Sequence, residues 1–236
     1  MHYWNKVNFE SLLQLAEALS SDERLSSLAE YCRCRERGLR REAFTALEQF
    51  LAAASHWESS DARRICQTVL ELHARTPEAH QFLTQPLSTR FVFPVLEAWV
   101  ADEPDSQTAL RWLGILRRSS TLLQRAIALS PEDVPVRRRL ADWHLADVDH
   151  ATHHLGEGLL LGSLEAARES IAKARAILDD APDSTPMADL AGEISKFESM
   201  LDDWESYCEM PAGTFPEWCA RRNRPYSWPT IVYYTN

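Results

Sequence analysis

Asp147, His150, His154 and Glu157 are spaced three, four and three residues apart in the stretch ADVDHATHHLGEG, residues 146–158. On a helix that turns about 100° per residue these four side chains share an arc of about 80°. Imidazoles and carboxylates at that spacing suit either divalent-metal ligation or a polar contact row, which His144 extends by one turn. Leu145, Val148, Leu155 and Leu159 form an apolar stripe roughly opposite, so the helix is expected to bury the leucines and turn the His/acid row outward. Metal centres in helical bundles instead project ligands inward from several helices through Glu-x-x-His pairs. Asp147-x-x-His150 is the nearest approach to that pattern, and His73 and His80, beside Glu71 and Glu78, lie elsewhere in the chain. The row is therefore read as a wet surface for partner binding, with a metal set of Asp147, His150, His154 and Glu157 as the alternative.

Other chemistry has less to stand on. Seven glycines leave little room for phosphate-cradling loops, and neither G-x-x-x-x-G-K nor G-x-G-x-x-G occurs. No G-x-S-x-G elbow marks a serine nucleophile. The acid pairs Asp179-Asp180 and Asp202-Asp203 diverge on a helix and make no paired general acid and base. The five cysteines, Cys32, Cys34, Cys66, Cys208 and Cys219, lack disulfide or zinc-ribbon spacing and are expected to be reduced and mostly buried. Arg33 between Cys32 and Cys34 is a candidate to lower their pKa values. No cofactor and no catalytic residue is assigned.

Charge narrows the partners. The chain of 236 residues carries a net −10, which disfavours nucleic acid, because phosphate neutralisation needs a basic surface. Residues 163–210 hold 12 acids against four basic residues, while the tail 211–236 sets Glu217 against Arg221, Arg222 and Arg224, so tail and acidic helices are expected to attract. Arg137-Arg138-Arg139 spreads around one helix turn and is read as a solvated face. No apolar run approaches the roughly 18 residues that span a bilayer, and the start MHYWNKVNFE lacks a basic-then-apolar leader. A cytoplasmic protein that binds no membrane is the expectation. Only three lysines stand beside many arginines, which suggests a GC-rich bacterial genome.

These residues need helices to position them, and the chain supplies one after another. Phe9, Leu12, Leu13, Ala16 and Leu19 form a stripe, and Leu25, Leu28 and Cys32 another behind a capping-box pattern at Ser20 and Glu23. Phe44, Leu47 and Leu51 mark a third helix, and Ile65, Val69 and Leu72 a fourth that stops at Thr76-Pro77. Phe91-Val92-Phe93 is read as a loop before a helix opened by Pro94. Short helices follow around Leu110, Leu122 and Val136. The longest follows Thr185-Pro186 and carries the seam Leu190, Ile194, Phe197, Leu201, Trp204 and Cys208. The domain reading is an all-α domain over 1–210 and an irregular segment rich in proline and aromatics over 211–236. Trp228, Tyr233 and Tyr234 of that segment either fold back on the helices or meet a partner.

ALRWLGILRRSSTLLQRAIALSPED carries Leu113-Gly114 in a first helix, Ala126 in a second and Pro131 at its close. LLLGSLEAARESIAKARAILDDAPD places Gly162 at a turn, Ala167 and Ala174 seven apart, and Pro182 near the end. Over roughly residues 105–182 the chain thus resembles the tetratricopeptide-like helical repeats. The resemblance implies stacked antiparallel helical hairpins, an α-solenoid whose first helices line a face that holds a protein or peptide. The expected function is a non-enzymatic interaction module with His144, Asp147, His150, His154, Glu157, Trp228, Tyr233 and Tyr234 in contact. An immunity or inhibitor protein covering a basic partner fits the charge. The rival is a metal-dependent helical enzyme using the row 144–157. Homodimerisation through the Leu190–Trp204 seam is a further candidate.

Overall fold

The apolar spacing just described produces helices throughout a computed structural model that describes residues 5–224 and 226–228, with no strand among them. The chain divides into two units, Met1–Leu122 and Leu123–Asn236. The boundary expected at 210/211 lies inside the second unit.

In the first unit α1 (Lys6–Leu19), α2 (Ser26–Glu36), α3 (Arg40–Ala54) and α4 (Ser59–Arg75) each bury one stripe. Leu12, Leu28, Leu47 and Val69 are fully enclosed in one core, each such residue contributing about 1.5–3 kcal/mol of transfer free energy. Asn5 Oδ1 accepts from the Asn8 N–H at 2.8 Å and caps α1. The capping box read at Ser20 does not form: the Ser20 hydroxyl donates back to Ala16 O, and Asp22 caps the short turn Glu23–Leu25 instead. Ion pairs tie this turn to the start of α4, Arg24 to Asp61 and Arg64 to Asp22.

The segment expected as a loop at Phe91 to Phe93 is helical. After α5 (Gln85–Leu87) the chain enters a π-helical turn, Ser88–Val92, and runs directly into α6 (Phe93–Asp102). Pro94 explains the register. It has no N–H for a carbonyl four residues back, and the wider turn, with Phe93 N–H donating to Ser88 O, absorbs the mismatch. The turn seats Phe91 edge-to-face on Phe50 and Trp57 at centroid distances of 5.1 and 5.9 Å. Arg63 pairs with both Asp102 and Glu103, which sets the start of α4 beside the end of α6. α7 (Gln107–Arg117) closes the unit, and the division falls within α8 (Ser120–Leu129).

In the second unit α9 (Val134–Thr152), α10 (Leu164–Asp179) and α11 (Ala188–Glu209) run up, down and up. Polar contacts fix the directions. Arg137 at the start of α9 reaches Ile177 O at the end of α10, and Leu161 N–H reaches Ala151 O at the opposite end. Arg168 of α10 pairs with Asp202 and Glu205 late in α11, and Arg138 of α9 with Asp189 at its start. The seam Leu190, Ile194, Phe197 and Leu201 is buried against α9 and α10. Cys208, placed on that seam, is exposed.

Arg137 corrects the solvated-face reading. It is 4% exposed, its Nε donating to Pro131 O at 2.6 Å and its Nη1 to Ile177 O at 3.0 Å. The tail is not wholly irregular either. Thr214 and Glu217 form a capping box that starts α12 (Phe215–Arg221), with Pro216 in its first turn.

Candidate functional site

The α-helix that carries the histidine row ends five residues before Glu157. Thr152 turns its hydroxyl onto Val148 O, and the chain then makes a single 3₁₀ turn, Leu155–Glu157, that contains Gly156 and ends at Gly158, which adopts φ 80°. Leu159 N–H donates back to His154 O at 3.1 Å and closes the turn. The continuous projection through Glu157 is therefore corrected, and so is the apolar stripe: Leu145, Val148 and Leu155 are buried, but Leu159 is 53% exposed.

The row splits into two groups. His144 and Asp147 sit mid-helix. Burial, together with nearby Lys173, holds the His144 pKa below the usual imidazole value, against the pull of Asp147. Beyond them His150, His153 and His154 form a ladder of rings, with centroids 5.3 and 4.1 Å apart along the series. His153 was not among the predicted residues, since its place depends on the helix having ended.

Hydrogen bonds fix two of these rings. His153 Nδ1 donates to His150 O at 2.6 Å, and His154 Nδ1 donates to Glu157 Oε1 at 2.7 Å. With Nδ1 engaged as donor, Nε2 of each ring is left without a partner among the described residues and is an acceptor in the neutral imidazole. Asp147, His150 and Glu157 are exposed, in line with the expected outward row, whereas His144 and His154 are half-buried. Among the described residues no three His, Cys, Asp or Glu side chains are grouped to hold a metal ion.

A cluster of aromatic rings underlies this turn. Leu155 is buried with Trp204, Phe215 and Trp218, and Trp228 packs on Phe215 at 5.3 Å between centroids. Gly156 lets the Trp228 ring lie close, since a Cβ there would stand 3.3 Å from it. Tyr226 donates to Asp203 Oδ2 at 2.6 Å, and Arg224 Nε lies 3.0 Å from the same oxygen. Asp203 is only 5% exposed. As far as Trp228, then, the tail folds onto its own unit and meets the acidic helix, as its charge suggests. Trp228 supports the histidine turn from beneath, while Tyr233 and Tyr234 lie outside the described residues.

Cys32, Cys34 and Cys66 are buried thiols. Burial pushes the Cys32 thiol up despite Arg33, and burial and then Glu30, whose Oε1 accepts from Cys34 Sγ at 3.3 Å, push up Cys34. Burial likewise takes Cys66 to about 12. The expectation that Arg33 lowers its neighbours is corrected, because desolvation outweighs one nearby charge.

Comparison of the chain with family models, curated proteins and solved structures finds no match. Among the described residues no helix is long and apolar enough to cross a membrane.

Proposed function

We propose that the chain is a non-enzymatic protein-binding module of the tetratricopeptide-like kind whose contact surface is the histidine turn at the end of α9. The observation that carries this reading is a pair of oriented acceptors. Nε2 of His153 and of His154 are left open on a turn that rests on an aromatic cluster and that exposed Leu159 closes through its backbone. A rigid patch of acceptors next to an apolar side chain suits a partner that brings N–H donors and a small apolar contact.

Two further features favour the reading. The up-down-up run of α9, α10 and α11, with Ala167 and Ala174 buried where α10 meets its neighbours, is the packing a helical-hairpin stack needs. Exposed Glu165 and Asp180 form no ion pair among the described residues, which favours a basic partner such as a toxin or enzyme covered by this protein.

The experiment is affinity capture with the chain, followed by titration of the purified partner against wild type and H153A/H154A. An affinity loss of about tenfold or more is expected, since two acceptors leave a desolvated contact. Unchanged affinity, with the variant folded, removes the turn from the interface.

A further inference from the structure

The turn that ends α2 builds a second site, in the first unit. Gly38 adopts φ 75°, its N–H donates to Arg35 O, and Leu39 N–H donates to Cys34 O at 2.8 Å, a Schellman closure that only glycine enters without strain. The chain then restarts at once as α3. Arg35 at the end of one helix and Arg40 at the start of the next thereby converge on Phe44, their guanidinium carbons 5.9 and 5.8 Å from its ring centroid. These three side chains, with Gln81 and Thr84, line a groove of about 600 Å³, a size typical of ligand pockets.

Arg35 is pre-set. Its Nε donates to Gln81 Oε1 at 2.8 Å, Gln81 is 8% exposed, and the Gln81 carbonyl accepts from the buried Tyr31 hydroxyl. That leaves the terminal nitrogens of the guanidinium for another acceptor. Arg24, Arg63, Arg64, Arg90 and Arg117 of the same unit each pair with a carboxylate. Arg35 and Arg40 pair with none among the described residues. The sequence agrees: CRCRERGLRRE, residues 32–42, sets five arginines against two glutamates inside a chain of net −10.

We propose that this groove binds an oxyanion, phosphate or carboxylate, joined to a flat apolar group. The anion lies between the guanidinium groups of Arg35 and Arg40, and the apolar group lies against Phe44. Fork-shaped guanidinium donors match either oxyanion, and an aromatic wall beside them selects a ligand that carries more than charge. The site is independent of the histidine turn and stands or falls separately from it.

Calorimetric titration of the full chain tests it with three probes: phenyl phosphate, inorganic phosphate, and a capped pentapeptide of one phenylalanine between pairs of glutamates. Phenyl phosphate or the peptide is expected to bind about tenfold or more tightly than inorganic phosphate. R40A is expected to weaken that binding by about tenfold, R40K by less, and R41A, an exposed neighbour outside the groove, by under about twofold. Tighter binding of the peptide identifies a protein segment as the source of the anion, and tighter binding of phenyl phosphate a small phosphorylated molecule. Failure of both aromatic probes to bind overturns the proposal, as does equal loss in R40A and R41A or equal affinity for inorganic phosphate. Circular dichroism of each variant separates lost binding from lost folding.

Discussion

Two sets of arginines, one in each unit, serve opposite ends. In the second unit arginine is a strut: Arg137 is buried on two backbone carbonyls, and Arg224 lies on an Asp203 carboxylate that also receives Tyr226. In the first unit Arg35 and Arg40 converge on a phenyl ring at a glycine turn without a carboxylate of their own. Whether a guanidinium holds the fold or waits for a ligand depends on whether the chain supplies the acceptor. The cores differ in the same sense. One packs Phe50, Trp57 and Phe91 inside a single aliphatic core, and the other gathers Trp204, Phe215, Trp218 and Trp228 into a separate plate that binds the last described segment to α11.

The comparison breaks most severely at Phe215, which is fully buried among four aromatic rings. F215A is expected to cost the second unit about 3–5 kcal/mol in urea unfolding, while a first-unit probe such as Trp57 keeps its transition. D203A follows, at about 2–3 kcal/mol, because it strands the Tyr226 hydroxyl and removes the Arg224 contact; faster proteolysis after α12 is the readout. R137A leaves the Pro131 and Ile177 carbonyls without their buried donor and is expected to cost about 1–3 kcal/mol. R40A, by contrast, is expected to change stability by under about 0.5 kcal/mol, and a cost like that of R137A would make Arg40 a strut as well.

The smallest effects are those of pH. Burial, then the hydrogen bond to Asp203, raises the Tyr226 pKa above its ordinary 10.0. A phenol with a raised folded pKa contributes its stability fully below the unfolded value and loses it as pH rises further. The tail contact is therefore expected to weaken above pH 10, and Y226F to abolish that dependence. Burial lowers the pKa of His144 in the second unit, and burial and then His80 lower that of His73 in the first. Their contributions are present above about pH 6.5 and decline as acid protonates them. Unfolding midpoints followed between pH 7 and 5 for H73Q and H144Q apportion that decline.

Periodicity made the helices legible, because a stripe such as Leu190, Ile194, Phe197 and Leu201 has one period and one way to be buried. It failed where the backbone changed register. Gly156 and Gly158 were the signal that the helix stops before Glu157, and projecting the leucines through them moved Leu159 to the wrong face. Pro94 does stand in the first turn of α6, but Phe91 to Phe93 reads as a loop because a π turn has no sequence period. Arg137 reads as solvated in the sequence because its acceptors are carbonyls, of which every residue contributes one. The groove at Arg35 was overlooked for a different reason: the net acidity of the chain masks a short basic run that only the turn at Gly38 brings together.

Gly156 has one more consequence. The indole of Trp228 rests directly on the strip of backbone that holds His154 and Glu157, so the electronic surroundings of that ring change whenever the strip bends. The difference in emission between the native chain and W228F then follows movement of that strip in real time, without an attached dye. The protein carries an optical gauge fastened to its own histidine turn.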